Sequence, residues 1–326
     1  VQISITLILV CVLLRMLIAN QNRTYEKKDL GTSHYWKEYI SFCAPLIPAT
    51  FVAQFTTIVM NWALMNWAGA REQAYFGVAW QLNVLISYVF SPYAELSKRE
   101  FAVLHDQPVP LKDRVVQAFQ LMIWATTYFA IFISFMSRWI LPVLFGDTYA
   151  GIGRVVSVVM FYTIYQAWGQ ICGSFMLATE KTKVNAVISI IGQLFTIIFI
   201  FLFQKPNTIW ENGLGAVGIG LNYFLANLIA TMAMVVYICK SLCIPTGAIL
   251  RMQLHPILLC TVLSFALQQI CNVLPIPDMG IVDELLTLLL AGVVYTGILG
   301  LYLYCNPKAI GISKSTLQGM LKRKKN

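Results

Sequence analysis

The sequence predicts an all-α protein, a polytopic membrane helix bundle with about nine transmembrane helices. Of its 326 residues, 58% are hydrophobic and only 11% are charged, whereas soluble domains carry about 25% charged residues. The mean hydropathy of the chain is +0.71. The sequence contains repeated apolar runs as long as a membrane-spanning helix, and these runs lack the alternation of apolar and polar residues that barrel strands show. The backbone hydrogen bonds inside the membrane must therefore be made within helices. This composition excludes a cytosolic enzyme, a disordered chain and a secreted disulfide scaffold.

Nine segments reach the length of about 20 residues that a membrane-spanning helix needs. They lie at 3–19, 39–65, 74–94, 115–136, 155–177, 184–203, 214–238, 254–274 and 285–305. No connection between them is much longer than about 20 residues, so the sequence predicts no sizeable soluble domain. The seventh segment opens on a glycine-rich run (NGLGAVGIG), which favours close helix packing.

The beginning of the chain predicts a membrane helix followed by a linker. Segment 3–19 lacks the basic start and the small-residue cleavage site of a signal peptide. Because residue 1 is Val and not Met, we expect an N-terminally truncated piece of a longer protein. The polar stretch 20–38 predicts a linker between two helix bundles. Pro45 and Pro48 then predict a kink near the start of the second segment, because proline removes backbone donors.

Basic residues are divided unequally between two alternating sets of connections, which predicts the orientation. The richer set holds 18 of the 23 Lys and Arg residues and comprises 20–38, 95–114, 178–183, 239–253 and the tail 306–326. The poorer set holds Arg71, Arg138, Arg154 and Lys205. The positive-inside rule therefore places the C-terminus in the cytoplasm. We interpret the net charge of +9 mainly as a consequence of this topology. The basic tail is expected to contact membrane lipid, and no nucleic-acid partner is expected.

No motif in the sequence predicts catalysis, a metal site or a cofactor. The chain has no G-x-x-x-x-G-K-[ST], no HExxH and no G-x-S-x-G pattern. The eight cysteines are dispersed through apolar runs or near helix ends and are interpreted as packing residues. We therefore expect a protein that is not an enzyme and that has no catalytic residues.

Four of the predicted helices carry polar residues at helical spacing. These stripes are Thr50, Gln54, Thr57 and Asn61; Asn83, Ser87 and Ser91; Tyr162, Gln166 and Gln170; and Asn185, Ser189, Gln193 and Thr196. Polar groups in hydrocarbon are costly unless they are paired, so each stripe must face protein or water. Bonds between helices explain any one stripe, whereas four together favour a shared hydrated cavity. Amides and hydroxyls both donate and accept, as recognition of sugar hydroxyls requires.

The arginines have two interpretations each. Arg15, near the cytoplasmic end of its segment, either extends to the interface or faces the cavity, where its planar fork suits a diphosphate. Arg71, Arg138 and Arg154 at the outer side either contact lipid headgroups or together receive an anionic substrate. The candidate cavity residues are Arg15, Gln54, Thr57, Asn61, Asn83, Tyr162, Gln166, Gln170, Asn185 and Gln193.

Two stretches of the chain resemble a known family. The run from FCAPLIPAT to VFSP resembles the start of the second lobe of polysaccharide flippases, with a proline-containing span, a short outer turn and the element YFGVA from Tyr75 to Ala79. The later run ILPVLFGDTYAGIG resembles the family's second signature. Its residues are Leu144, Phe145, Gly146 and Tyr149, followed after a span by Ala178, Lys181 and Lys183. Over most of 39–240 the sequence is similar to the O-antigen and capsule repeat-unit flippases of the multidrug/oligosaccharidyl-lipid/polysaccharide exporter superfamily.

The resemblance implies a domain organisation. Members have two six-helix lobes joined by a cytoplasmic linker, often with two further helices. Residues 1–19 then correspond to the last helix of the first lobe and 20–38 to the linker. Residues 39–239 form the six-helix second lobe of a two-lobed flippase, and 240–326 supply two additional helices and the basic cytoplasmic tail.

The resemblance also implies a function in the bacterial inner membrane. Such a flippase moves undecaprenyl-diphosphate-linked oligosaccharide, such as an O-antigen repeat unit, from the cytoplasmic to the outer leaflet by alternating access. Its implied partners are this lipid-linked glycan, a polysaccharide polymerase and a chain-length regulator. Many members carry Asp near position 61, whereas this chain has Asn61, which cannot titrate and so puts ion coupling through this position in doubt.

Three alternatives stay open at this point. A drug/cation antiporter of the same superfamily needs a titratable carboxylate in its cavity, and the spans offer only Glu95, near an edge. A membrane O-antigen polymerase or ligase needs a large outer loop, which the predicted topology lacks. A structural partner in a glycan-assembly complex is the third.

Overall fold

The computed structural model describes residues 32–206, 213–273 and 281–311, which form helices and turns without a β-strand. The chain divides into two compact units, Val1–Ala44 and Pro45–Asn326. In the first unit the described residues form one helix, α1 (Thr32–Cys43). The predicted segment 3–19, with Arg15, lies outside the described residues.

The described residues of the second unit form eight α-helices. They are α2 (Leu46–Trp67), α3 (Ala70–Val103), α4 (Pro108–Phe145), α5 (Gly153–Ala178), α6 (Thr182–Gln204), α7 (Gly215–Ser241), α8 (Thr246–Val273) and α9 (Ile281–Cys305). Short 3₁₀ helices at Asp147–Ile152 and Pro307–Ile310 follow α4 and α9.

Seven stretches of the described chain are long and apolar enough to cross a membrane, and the predicted all-α membrane bundle is confirmed. One of them, Ser33–Trp67, contains both α1 and α2, and the helix is interrupted at Ala44 and Pro45. Helix α3 contains the predicted segment 74–94 but is not among the seven. Polar residues such as Gln81 and Asn83 lower its hydropathy. Because segment 3–19 also lies outside the described residues, seven stretches are counted where nine were predicted.

Helices α3 and α4 extend well beyond a bilayer. They contain 34 and 38 residues, and a 38-residue helix is about 57 Å long, against a hydrocarbon core of about 30 Å. The predicted connection 95–114 is therefore mostly helical, and only 104–107 lie between the two helices. Charged residues ended the apolar pattern here without ending the helix, because Lys, Arg and Glu are good helix formers outside hydrocarbon.

The connections between helices lie at two opposite ends of the second unit, as hydrogen bonds between them show. At one end, Lys112 Nζ on α4 donates to the carbonyl of Cys243 after α7 at 3.4 Å. At the other end, Glu72 at the start of α3 accepts from the backbone N–H of Ala216 at the start of α7 at 2.8 Å. Successive turns alternate between these ends, as the predicted topology requires; the charge-based orientation stays a prediction.

Helix α5 lies at the centre of the second unit. It packs against α3, α4 and α7, and Trp168 near its middle is fully buried and donates from Nε1 to the carbonyl of Phe119 at 3.4 Å. Helices α8 and α9 pack on α4, while α2 packs mainly on α6. The predicted additional helices thus lie along α4, and the side of α5 toward α6 and α7 is left for the cleft described next.

Candidate functional site

Helices α5, α6 and α7 enclose a cleft of about 330 Å³. Each helix contributes one stripe of small and polar residues. The lining residues are Tyr162, Gln166, Gly169 and Gln170 of α5; Asn185, Ser189, Gly192, Gln193 and Thr196 of α6; and Tyr223, Ala226, Asn227, Ala230, Thr231 and Met234 of α7. None of these residues carries a charge, so the cleft offers hydrogen-bonding groups and packing surface but no ionic partner.

The polar stripe of α6 faces the interior and its apolar face points outward. Asn185, Ser189 and Gln193 lie at i, i+4 and i+8 on one face of the helix. Ile191 and Ile198, on the opposite face, are exposed. This pattern is the reverse of a soluble amphipathic helix and suits one whose outer face contacts lipid while its inner face contacts protein and water.

The cleft exists because α7 holds the other two helices apart. Both α5 and α6 pack along α7 but contact each other little. A Cβ atom built on Gly192 of α6 would come within 3.0 Å of the Cβ of Ala230. A Cβ on Gly169 of α5 would come within 3.1 Å of Thr231 Oγ1. Close approach at these two glycines brings both helices onto α7 and leaves the space between them open.

Two polar atoms of the cleft lack a hydrogen-bond partner in the protein. They are the Oε1 atom of Gln170 and the Nδ2 atom of Asn227, and both are buried. A buried donor or acceptor without a partner costs about 1–3 kcal/mol. Both side chains line the cleft, so a small rotation of either one would expose an acceptor or a donor to a ligand or to water.

A cluster of four aromatic rings lies at one side of the cleft, and two of the four line it. The Tyr162 and Tyr223 rings line the cleft with centroids 5.3 Å apart. Trp80 of α3 lies behind both, at 5.4 Å from Tyr162 and 4.8 Å from Tyr223. Phe76 stacks on Tyr223 at 5.9 Å, with the two ring planes 1° apart. Because the four rings come from three helices, each ring restricts the movement of the others.

The cleft runs along the helices for part of their length. On α6 it extends from Asn185 to Thr196, and 11 residues of helix rise about 16 Å. Asn185 lies in the first turn of α6, and its backbone N–H bonds to the carbonyl of Lys181 in the preceding turn at 3.1 Å. The cleft therefore reaches from one end of α6, the cytoplasmic end in the predicted orientation, past its middle.

Five predicted cavity residues line this cleft together, and the other four that the structure describes lie elsewhere. The five are Tyr162, Gln166, Gln170, Asn185 and Gln193. Asn83 is buried between α3 and α5, where its Oδ1 accepts from Thr163 Oγ1 at 2.9 Å, so this part of the α3 stripe bonds one helix to another. Of that stripe, Ser87 bonds to Gln166 Oε1 at 3.4 Å.

The stripe on α2 is exposed. Gln54, Thr57 and Asn61 all lie on an exposed face of this helix, and Thr57 Oγ1 donates within the helix to the carbonyl of Ala53 at 3.0 Å. They do not line the α5–α7 cleft. Exposed amides on a membrane helix are costly against lipid, so this face requires protein or water beside it.

The three predicted outer arginines are exposed: Arg71 and Arg154 lie at the starts of α3 and α5, and Arg138 lies about two turns before the end of α4. Arg71 donates from Nε to the hydroxyl of Tyr75 at 2.6 Å. Arg138 donates from Nη1 to Asn272 Oδ1 at 3.4 Å. Arg154 is exposed in the first turn of α5. The Tyr75 ring meets the ring of Tyr149, the last residue of the Leu-Phe-Gly-x-x-Tyr turn, at 6.3 Å.

Sequence reasoning missed the contribution of α7. Tyr223, Asn227 and Thr231 stand at i, i+4 and i+8, the same spacing as the stripe of α5. The glycine-rich run at the start of this segment drew attention to packing, although the spacing itself would have identified a fifth stripe.

The described residues contain no group of three or more His, Cys, Asp or Glu side chains placed to hold a metal ion. No protein-family model matches the sequence, and no curated protein matches it. The structure is similar to that of the lipid II flippase MurJ in an inward closed conformation, with a TM-score of 0.59 and 13% sequence identity. The match covers 86% of this chain and 58% of that chain, so this chain corresponds to little more than half of the flippase. The likeness shows that the two proteins share a fold.

Proposed function

We propose that this chain is part of a membrane flippase that moves a lipid-linked glycan between leaflets by alternating access, and that it is not an enzyme. The observation that carries the proposal is the uncharged, amide-lined cleft among apolar helices, with two buried polar atoms left unpaired. Such a cleft suits a hydroxyl-rich ligand inside a bilayer. The fold shared with a lipid II flippase supports a substrate that is attached to a lipid.

The finer substrate we propose is undecaprenyl-diphosphate-linked oligosaccharide, such as an O-antigen repeat unit, in a bacterial inner membrane with the C-terminus cytoplasmic. The resemblance of the stretches around Pro45 and Gly146 to repeat-unit flippases supports this choice. The proposed partners are the lipid-linked glycan, a polysaccharide polymerase and a chain-length regulator.

The exposed polar face of α2 has a place in this proposal. Gln54, Thr57 and Asn61 would face the first lobe across a central hydrated cavity, and rocking of the two lobes would open that cavity to each side in turn. Arg71 and Arg154, both exposed at outer helix ends, would attract the anionic diphosphate as it leaves. Arg15 would hold the diphosphate at the cytoplasmic side.

The residues that line the cleft argue against a proton-coupled drug antiporter. That activity needs a titratable carboxylate in the cavity, and the lining of the cleft contains none. Glu95 is exposed and forms an ion pair with Lys98. Glu95 therefore lies on the exposed surface of α3 and does not line the cleft.

The proposal is tested by deleting the whole gene in its native host and examining the lipopolysaccharide on a gel, with a leaflet-resolved assay of undecaprenyl-linked units. We expect the O-antigen ladder to disappear and the units to accumulate on the cytoplasmic face. Complementation with the intact gene should restore both. An unchanged ladder would contradict the O-antigen assignment, and a ladder reduced to single units would indicate a polymerase instead.

A further inference from the structure

We infer that the α5–α7 cleft is a binding subsite for one uncharged sugar ring, and that the diphosphate of the substrate is bound elsewhere. This inference rests on the proposed function in taking the ligand to be a glycan. Beyond the proposed function, the inference specifies the part of the glycan that binds in the cleft and the side chains that bind it.

The size of the cleft limits the ligand. At about 330 Å³ it lies at the small end of the range of about 300–1,000 Å³ for small-molecule sites. A single sugar ring can enter such a space, whereas a whole repeat unit cannot. The remaining sugars of an oligosaccharide would therefore stay outside the cleft, in the larger cavity that we propose beside α2.

The charge of the lining limits the ligand further. A phosphate in a membrane interior needs Arg, Lys or a metal ion beside it, because an unpaired charge is very costly there. The cleft offers amides, hydroxyls and aromatic rings but no cation. A carboxylated sugar meets the same obstacle as a phosphate, so the cleft selects uncharged sugars.

The unpaired atoms give the cleft its hydrogen-bonding specificity. Gln170 Oε1 requires a donor and Asn227 Nδ2 requires an acceptor. A sugar hydroxyl is both, and an acetamido group offers one N–H and one C=O. Binding of such a group would satisfy two atoms whose burial otherwise costs stability.

The aromatic wall provides the complementary surface. The C–H groups on one face of a sugar ring are apolar and pack on the face of an aromatic ring. Tyr162 and Tyr223 present such rings at one side of the cleft, and Trp80 holds them from behind. A polar side with unpaired amides and an aromatic side together match the two kinds of surface that a sugar ring carries.

The test measures how well three amphiphiles protect the thiol introduced by Ser189→Cys on α6, in the cleft lining. The full chain is placed in nanodiscs and its labelling by a small maleimide is followed by peptide mass spectrometry, which separates this position from the native cysteines. The probes share one tail: decyl glucoside, decyl glucuronide and decyl phosphate. We expect decyl glucoside to slow labelling at least threefold and the two anionic probes to have little effect.

Matched variants identify the groups responsible. Gln170→Leu and Asn227→Leu should each abolish protection by decyl glucoside. Gln269→Leu, at an exposed position on α8, should keep it. Equal protection by all three probes, protection that survives both cleft variants, or no protection at all would overturn the inference. Loss of the O-antigen ladder on gene deletion without protection would refute the subsite alone, and protection with an unchanged ladder would refute the proposed O-antigen function alone.

Discussion

Helix α5 presents polar residues on two faces, and the two faces use them differently. Toward α3, the Thr163 hydroxyl donates to Asn83 Oδ1 and the Ser174 hydroxyl to the carbonyl of Ala94, each at 2.9 Å. Toward α6 and α7, Gln170 leaves its Oε1 atom buried and without a partner. The α3 face is closed, whereas the other face borders a cleft.

The difference separates stabilising polar groups from available ones. A buried hydrogen bond between membrane helices contributes about 0.6 kcal/mol on average and up to about 1.7 kcal/mol. A buried polar atom without a partner lowers stability instead. Proteins keep such costly arrangements where function needs them, so the cleft face of α5, where Gln170 Oε1 is unpaired, is the better candidate for binding and the α3 face for holding the fold.

The contrast between the two faces of α5 depends first on the shape of the cleft. Gly192→Val is the variant that should disturb this shape most. The added Cβ would meet the Cβ of Ala230 within 3.0 Å, and overpacking of this kind costs about 1–3 kcal/mol. We expect the free energy of unfolding, measured by denaturant titration in detergent micelles, to fall by about that amount. Ala230→Gly in the same chain should recover most of the loss.

Gly173→Val is the matched control for that variant. Gly173 lies on α5, and a Cβ there would meet nothing within 4 Å. Both variants carry the same change in helix propensity, since valine is a better helix former than glycine, so their difference isolates the contact with Ala230. Equal losses for the two variants would mean that close packing of α6 on α7 does not shape the cleft.

The paired face is tested by Thr163→Val, with a smaller expected effect. Valine keeps the shape of threonine but removes the hydroxyl, which lies 2.9 Å from both Asn83 Oδ1 and the carbonyl oxygen of Val159 in its own helix, and Asn83 is 1% exposed. We expect a loss of about 1–2 kcal/mol in the free energy of unfolding, by the same titration. Thr126→Val is the control, because the buried Thr126 hydroxyl donates only within its own helix, to the carbonyl of Met122 at 2.7 Å. Equal effects of the two variants would contradict a stabilising bond between α3 and α5.

Much of the fold could be predicted because hydrocarbon imposes simple rules. Apolar runs of sufficient length located α4 to α9, since a spanning helix must be apolar along its lipid-facing length. The same rule placed the end of α3 and the start of α4 poorly, because these helices extend beyond their apolar runs to include Lys98 and Lys112. Hydropathy measures what can remain in the bilayer, and it is insensitive to where a helix ends in water.

The site was harder to predict, because spacing does not say what a stripe faces. Asn83 and Gln170 stand in stripes of the same spacing, yet one is bonded across a helix contact and the other borders a cleft. Which of these occurs depends on whether the neighbouring helix comes close, and that is decided by small residues on the partner, such as Gly192 and Ala230. A single sequence gives the face of a helix but not its distance from the next helix.

The smallest effect is expected for Gln170→Met, and it is the sharpest test of the comparison. Methionine is similar to glutamine in length and flexibility but carries no strong acceptor. Because Gln170 Oε1 has no partner to lose, the free energy of unfolding without ligand should stay within about 0.5 kcal/mol of the unmodified chain or rise slightly. Thr163→Val, in the same titration, supplies the scale of a lost interhelical bond. If Gln170→Met destabilised the protein as much as Thr163→Val does, Gln170 would be bonded to the protein after all. The two faces of α5 would then be alike, and the cleft would have no acceptor left for a ligand.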